Sequence, residues 1–172
     1  MNKAVNTSVV IPVYNSADCI EELINRLVDV LDDIENKYEI ILINDYSKDS
    51  SWEKIVECCN ENNNIIGINF RKNFGQDNAI MAGLKYSSGK SIIIMDDDLQ
   101  HDPMDIPSLL DKLNKGSDVV YANFLSKKQS LIKNIGSWFN GKIANIIINK
   151  PKEIYLSPFK AINRSIIIEI LK

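Results

Sequence analysis

The sequence predicts an α/β protein with an open, mostly parallel sheet flanked by helices. Apolar runs of strand length alternate along the chain with amphipathic segments of helical period, a pattern typical of βαβ units. The apolar runs are rich in Ile and Val, as expected for strands buried on both faces of a sheet. The predicted strands are Ser8–Val13, Glu39–Asn44, Ile65–Phe70, Ser91–Met95 and Ser117–Ala122.

The segments between these strands predict four helices. The first has an apolar stripe from Ile20 to Leu31, with Ser16 or Asp18 placed as its N-cap. The fourth begins near Asp102-Pro103, where a proline in the first turn costs no hydrogen bond. The second runs from about Ser50 to Glu61 with Trp52, Ile55, Val56 and Cys59 facing inward, and the third runs from Gln76 through Leu84.

Composition limits the function classes. The chain has 172 residues, enough for one domain with a full core, and its net charge of −3 excludes a generally basic nucleic-acid-binding protein. Three cysteines give no disulfide framework, so we expect a reducing compartment. The single histidine, His101, excludes a His-rich zinc site. Because no run approaches the ~20 apolar residues that span a bilayer, we expect a soluble chain.

An acidic run, Asp96-Asp97-Asp98-Leu99-Gln100, follows the fourth strand. If the chain stays extended here, Asp96, Asp98 and Gln100 share one face and Asp97 points away. Carboxylate and amide oxygens suit Mg²⁺ or Mn²⁺ that also binds a diphosphate. The alternative is an acidic turn that caps the fourth helix through Asp102. No Gly-rich phosphate loop and no GxGxxG motif is present, so another device must hold any nucleotide diphosphate.

Two further strands end in polar residues at the same predicted edge. Asp45 follows the second strand, where it is placed to accept hydrogen bonds from a nucleobase, and Ser47 or Asp49 is placed to cap the next helix. The first strand runs into Tyr14 and Asn15, which would put an aromatic ring and exposed backbone beside the same crevice. The carboxyl ends of parallel strands are where ligands bind in open α/β sheets.

Taken in order and spacing, these motifs resemble family 2 glycosyltransferases, which have the Rossmann-like GT-A fold. The matching segments are Ile11 to Asn15, Asp45, Arg71 to Gln76 followed by Ala79, Ala82 and Gly83, and Asp96 to Pro103. The form of the acidic run is closest to the branch of dolichyl- and undecaprenyl-phosphate sugar synthase-like enzymes. The resemblance extends from about Ser8 to Arg164, nearly the whole chain.

The resemblance implies an inverting transferase that moves a sugar from a nucleotide-sugar donor to a polyprenyl phosphate. Such an acceptor is already an anionic nucleophile and needs no general base. A UDP-sugar is the favoured donor because the composition of the chain is rich in Ile, Asn and Lys. Asp98 and Asp96 would be catalytic, and with Gln100 they would hold Mg²⁺ or Mn²⁺. Arg71 and Gln76 would shape the wall of the crevice. The implied nucleotide-binding residues are Pro12, Val13, Tyr14, Asn15, Ile43, Asp45, Gln76, Asp96 and Asp97.

The chain departs from the family pattern in several places. Ser16 stands where the family often has Glu, and Tyr46 stands where it has Gly. Phe124 occupies the position of an arginine that grips the acceptor phosphate, and the acidic residue often found before the final strand is absent. Lysine neutralises a phosphate without arginine's bidentate contact. The nearby charges offered to the acceptor phosphate are Lys127, Lys128 and Lys133.

Residues 127–150 form a basic amphipathic stretch with Trp138 and Phe139 on its apolar side. Two interpretations stay open: a helix that covers the core, or a helix that lies on an anionic membrane surface. The chain ends within a predicted helix that starts near Ser165, so we expect a single catalytic domain of a longer protein. We expect that protein at the cytoplasmic face of the membrane.

Three other functions stay open. In the first, the acceptor is a saccharide hydroxyl in cell-surface polysaccharide synthesis; a general base is then needed, and His101 and Asp102 are the nearest candidates. In the second, the chain is a nucleotide-sugar binding module without transfer activity, as the missing arginine and acidic residue suggest. In the third, the acidic run belongs to a metal-dependent phosphotransferase. The sequence alone does not decide the donor's base or sugar, or the oligomeric state.

Overall fold

A computed structural model of the chain describes residues 5–34, 37–122 and 157–172. These residues form one six-stranded sheet with helices on both faces. The strands are β1 (Thr7–Val13), β2 (Tyr38–Asn44), β3 (Ile65–Asn69), β4 (Ser91–Ile94), β5 (Val119–Tyr121) and β6 (Lys160–Asn163). The helices are α1 (Ala17–Asp33), α2 (Ser51–Glu61), α3 (Gln76–Tyr86), α4 (Ile106–Asn114) and α5 (Arg164–Ile170).

The sheet has the strand order β3-β2-β1-β4-β6-β5. The first four strands in this order are parallel, with Val10 of β1 opposite both Ile41 of β2 and Ile94 of β4. All five predicted strands are present, with ends within two residues of those expected. The sequence pattern did not predict β6, which pairs antiparallel with both β4 and β5. Its four residues, Lys-Ala-Ile-Asn, are too few to show a period.

Successive residues of β1 and β2 enter different cores because side chains alternate across a strand. Val9 packs with α1, α2 and α4 on one face, and Val10 packs with α3 and α5 on the other. The second face is tight: a Cβ built on Gly83 of α3 would lie 2.4 Å from Val10 Cγ1 and 2.7 Å from Ile43 Cδ1. Glycine at this position therefore sets how closely α3 approaches the two strands that end at the site.

Three details of the predicted helices differ from the structure. Ser16 is the N-cap of α1, but its hydroxyl donates to the Tyr14 carbonyl and makes no capping bond. Val56 of α2 was expected to face inward and is 38% exposed. A short 3₁₀ helix, Pro103–Asp105, precedes α4, and its first turn is capped by Asp102, whose carboxylate accepts from the Met104 amide.

The described ranges contain no helix that is both long and apolar enough to cross a bilayer. The basic stretch predicted at residues 127–150 lies outside these ranges.

Candidate active site

A cavity of ≈ 340 Å³ opens where β1, β2 and β4 end, at the carboxyl edge of the parallel strands. This is the edge at which the sequence placed its candidate ligand-binding residues. Four carboxylates line the cavity, and among the residues that the structure describes no Lys or Arg lines it. The lining consists of Pro12, Val13, Tyr14, Asp45, Asn73, Gly75, Gln76, Asp96, Asp97 and Asp98.

Asp45 is the most buried of these acids, at 3% exposure. Its Oδ1 accepts from the Phe74 amide at 2.7 Å and its Oδ2 accepts from the Gly75 amide at 2.8 Å. The Asn73 side chain donates to the Asp45 carbonyl at 3.2 Å. Asp45 therefore holds the loop between β3 and α3 against β2. Each carboxylate oxygen has a second lone pair, so Asp45 can still accept from a ligand.

The backbone amides from Tyr14 to Ala17, where β1 leads into α1, all donate to side chains from other segments. The prediction that this backbone is exposed to a ligand is therefore wrong for its N–H groups. Ser47 does not cap α2 as expected, since its hydroxyl accepts a hydrogen bond from the Asn15 amide. The four bonds run from Tyr14 N to Asp97 Oδ2 (3.1 Å), Asn15 N to Ser47 Oγ (2.9 Å), Ser16 N to Ser51 Oγ (2.9 Å) and Ala17 N to Asp49 Oδ2 (3.1 Å).

The acidic run after β4 does not continue as an extended strand. β4 ends at Ile94, and Leu99 has a left-handed backbone with φ 58°. The alternation expected for Asp96, Asp98 and Gln100 is consequently lost. Asp96, Asp97 and Asp98 all line the cavity, whereas Gln100 lies outside its lining and its backbone N–H donates to Asp98 Oδ1 at 3.1 Å.

Electrostatics in the cavity favour a cation. Burial raises the pKa of Asp96, and the neighbouring Asp98 and Asp97 raise it further. Burial also raises the pKa of Asp97, against hydrogen bonds from Ser16 and the Tyr14 amide that lower it. Two groups lower the pKa of Asp96 in part: the Gln76 side chain, which donates to Asp96 Oδ1 at 2.8 Å, and after it Lys160 of β6. The fold therefore holds these carboxylates in a place where their charge is costly.

The oxygen donors fit a divalent metal that is shared with a ligand. Within the described ranges, no three His, Cys, Asp or Glu side chains converge into a ready metal site. Mg²⁺ is usually held by one or two carboxylates together with substrate phosphates, and not by a cage made only of protein ligands. Asp96 and Asp98 supply carboxylates of this kind beside open space for a ligand.

Several other residues predicted for the site lie away from the cavity surface. Ile43 has no exposed surface and packs in the core beneath α3, so the structure corrects its predicted contact with base or ribose. Asn15 and Arg71 are exposed but do not line the cavity. Asn15 has φ 54°, and its Oδ1 accepts from the Lys48 amide at 2.8 Å. The predicted acceptor residues Lys127, Lys128 and Lys133 lie outside the described residues.

His101, one of the two nearest base candidates in the sequence, is 4% exposed and stacks on Phe159 with ring centroids 5.3 Å apart. Burial lowers its pKa, although Asp98 and Asp105 oppose this effect. The other candidate, Asp102, caps the 3₁₀ helix. Neither side chain lines the cavity.

The sequence reasoning assigned no role to three residues near the site. Asn73 and Gly75 line the cavity, and Gly75 has φ 88°, a left-handed conformation that suits glycine. Their position in the segment Arg71 to Gln76 was the available signal. Lys160 lies on the unpredicted strand β6, so its proximity to the acidic run was not visible in the pattern.

The sequence matches the family model described as glycosyl transferase family 2 over residues 8–171. It is 35% identical over 168 residues to an uncharacterized glycosyltransferase of Synechocystis, covering 95% of this chain and 52% of that protein. It is 41% identical over 144 residues to an undecaprenyl-phosphate 4-deoxy-4-formamido-L-arabinose transferase of Salmonella choleraesuis, covering 83% of this chain and 43% of that protein. The chain thus spans about half the length of the curated relatives it matches.

Solved structures share the fold at low sequence identity. One is glucosyl-3-phosphoglycerate synthase from Mycobacterium tuberculosis in complex with Mn²⁺, UDP-glucose and glycerol 3-phosphate (TM-score 0.72, 17% identity, 94% of this chain and 57% of that one). Another is a mannosyltransferase from Pyrobaculum calidifontis in complex with GDP-mannose and Mn²⁺ (TM-score 0.69, 16% identity, 98% and 47%). These likenesses confirm the predicted GT-A fold.

Proposed function

The chain belongs to glycosyl transferase family 2, and from this membership we propose that its cavity binds a nucleotide-sugar donor for transfer to a polyprenyl phosphate. The observation that carries the proposal is the convergence of Asp45, Asp96, Asp97 and Asp98 on one cavity at the carboxyl edge of the sheet. The printed name of the Salmonella relative includes undecaprenyl phosphate, which supports a lipid-phosphate acceptor.

The donor is proposed to lie across the strand ends, with its base near Tyr14 and Asp45 and its diphosphate near the acidic run. Two unit charges 4 Å apart repel by about 4 kcal/mol at an effective dielectric constant of 20, so the diphosphate needs a cation. Asp98 and Asp96, with Gln100 nearby, are the residues proposed to hold Mg²⁺ or Mn²⁺. When bound, the metal would neutralise charge that develops on the departing nucleoside diphosphate.

In the proposed reaction, an acceptor phosphate oxygen attacks the anomeric carbon from the face opposite the nucleotide. The bond from that carbon to the diphosphate breaks, and its electron pair leaves with the nucleoside diphosphate. The configuration at the anomeric carbon is therefore inverted. Because the acceptor oxygen is already anionic, the step needs no general base, which is consistent with a cavity lined by no histidine.

We test donor binding by calorimetric titration of UDP and of GDP, with and without Mn²⁺. We expect one nucleotide, with UDP favoured, to bind at least about tenfold more tightly with the metal, and Asp98→Ala to abolish that gain. The matched control is Asp111→Ala, which removes an exposed carboxylate on α4 away from the cavity. Equal affinity with and without Mn²⁺, or an unchanged gain in Asp98→Ala, would contradict the metal assignment.

Transfer is tested separately, with UDP-sugars and undecaprenyl phosphate in detergent. Product formation on the lipid supports the proposed acceptor, whereas product formation only on a free saccharide contradicts it.

We further propose that the natural protein works at the cytoplasmic face of a membrane, with residues 127–150 in contact with anionic lipid. Failure of this chain to sediment with phosphatidylglycerol vesicles would refute that contact.

A further inference from the structure

The α1 N-terminus differs from a typical phosphate-binding helix end. In the dinucleotide-binding α/β folds, the amides at the first βα turn face the ligand's phosphates. Here the amides from Tyr14 to Ala17 donate instead to four side chains of the chain itself. Two of those acceptors, Asp97 and Asp49, are carboxylates, so the protein's own anions occupy the places that a phosphate would take.

Among these four contacts, only one involves the acidic run. Ser47 and Asp49 come from the segment between β2 and α2, and Ser51 is the first residue of α2. Asp97 comes from the segment after β4, and its bond to the Tyr14 amide joins residues 83 positions apart. Within the described hydrogen bonds, this is the direct link from the acidic run to the Tyr14 backbone; Ser16, which bonds to Asp97 and to the Tyr14 carbonyl, gives an indirect one.

The Tyr14 side chain has little else to fix it. It is 48% exposed, and the next residue, Asn15, has φ 54°, so the chain turns sharply immediately after Tyr14. A half-exposed ring beside such a turn takes its direction from the backbone that carries it. Tyr14 lines the cavity, and the place of its ring there therefore depends on how its backbone is held.

We propose that Asp97 is a positioning residue, which acts through the Tyr14 amide and holds the aromatic ring at the cavity before a nucleotide arrives. This inference rests on the proposed function, since it assigns Tyr14 to the nucleoside end of the donor. It also differs from the direct contact with ribose or diphosphate that the family resemblance implies for Asp97. A site organised in advance binds more tightly because less ordering remains at the moment of binding.

The first experiment is a double-mutant cycle read by UDP titration in the presence of Mn²⁺, with GDP as the second probe. We expect Asp97→Ala and Tyr14→Ala each to weaken binding about tenfold, and the double variant to bind no more weakly than Tyr14→Ala alone. Asp97→Asn keeps an acceptor oxygen for the amide, so it should retain affinity within about threefold. Additive losses in the double variant would overturn the inference, because they mean that Asp97 acts on the nucleotide independently of Tyr14.

The second experiment needs no ligand. We measure hydrogen exchange of the Tyr14 amide by NMR in the wild type, Asp97→Ala and Asp97→Asn. Asp97→Ala should exchange this amide at least about tenfold faster, and Asp97→Asn should restore its protection. The Asn15 amide, which donates to Ser47, is the internal control and should keep its rate. An unchanged Tyr14 rate in Asp97→Ala overturns the inference. If wild-type protein binds neither nucleotide, the proposed function fails, and the role of Asp97 in nucleotide binding fails with it; the exchange rates then decide only whether Asp97 holds the Tyr14 backbone.

Discussion

Removal of the Asp45 carboxylate should destabilise the fold as well as any ligand contact. Its two oxygens accept from the Phe74 and Gly75 amides at 2.7 and 2.8 Å, and the residue is 3% exposed. A hydrogen bond to a charged group contributes about 1.5–3 kcal/mol, so the two together give about 3–6 kcal/mol. Because Phe74 is half-exposed beside an open cavity, water can reach part of this loop in the variant. We therefore expect Asp45→Ala to lower the free energy of unfolding by about 2–4 kcal/mol.

The assay is urea unfolding at pH 7, followed by circular dichroism. With a dependence on urea of about 2 kcal/mol per molar, Asp45→Ala should lower the midpoint by about 1–2 M. Asp45→Asn keeps one acceptor oxygen and should lose about half as much. The control is Asp77→Ala, an exposed acid in the first turn of α3, for which about 0.3–1 kcal/mol is expected.

One result would refute this reasoning. If Asp45→Ala unfolds at the wild-type midpoint, the two amides do not depend on the carboxylate for stability. A loss of nucleotide binding in the same variant would then show that Asp45 serves only the ligand. Destabilisation together with lost binding would show that one carboxylate both holds the loop and forms the pocket.

Three further predictions concern stability and its dependence on pH. Asp96→Asn should raise the urea midpoint at pH 7, because burial first and then the charge of Asp98 raise the pKa of Asp96 in the folded protein. This gain in stability should shrink as the pH falls through that raised pKa, and it should vanish below the pKa of about 3.9 that the unfolded chain has. Burial raises the pKa of Asp49, but hydrogen bonds from Ser51 and the Ala17 amide outweigh it and lower the pKa overall. Asp49→Ala should therefore destabilise the protein at pH 7, and this loss of stability should disappear as the pH falls below about 3.9. An equal loss of stability at pH 2 would contradict the prediction. Gly83→Ala should cost about 1–3 kcal/mol in the same assay, since its Cβ meets Val10, and an unchanged midpoint would show that α3 shifts freely.

The sequence was most informative where one local pattern determines the structure. The apolar runs that became β1 and β2 are buried along their whole length, so their strand-like length and their Ile and Val content were enough to predict them. The predicted parallel arrangement put the carboxyl ends of β2 and β4 at the same edge of the sheet, which is why Asp45 and Asp96 could be assigned to one site from the sequence. In contrast, Lys160 was missed because it lies on a four-residue strand without a readable period.

Hydrogen-bond partners were the least predictable feature. Ser47 and Asp49 both looked like caps for α2, yet Ser47 accepts from Asn15, and Asp49 divides its carboxylate between α2 and Ala17. These choices depend on distances between loops that are remote in sequence. Asp98 and Gln100 do not share a face as predicted, because the backbone at Leu99, between them, is left-handed. Leucine rarely adopts this conformation, so the residue type gave no sign of it.

The position of β6 has a consequence for how the chain folds as it is synthesised. β4 leads into the acidic run, and its outer neighbour is β6, with Ile94 opposite Lys160. After β4 has been synthesised, the ribosome must add more than 60 residues before β6 begins. Until then one edge of β4 presents unpaired N–H and C=O groups that can join another nascent chain. Synthesis that pauses or stops before Lys160 would leave β4, the strand that leads into the acidic run, with one unpaired edge, so we expect such unfinished chains to aggregate.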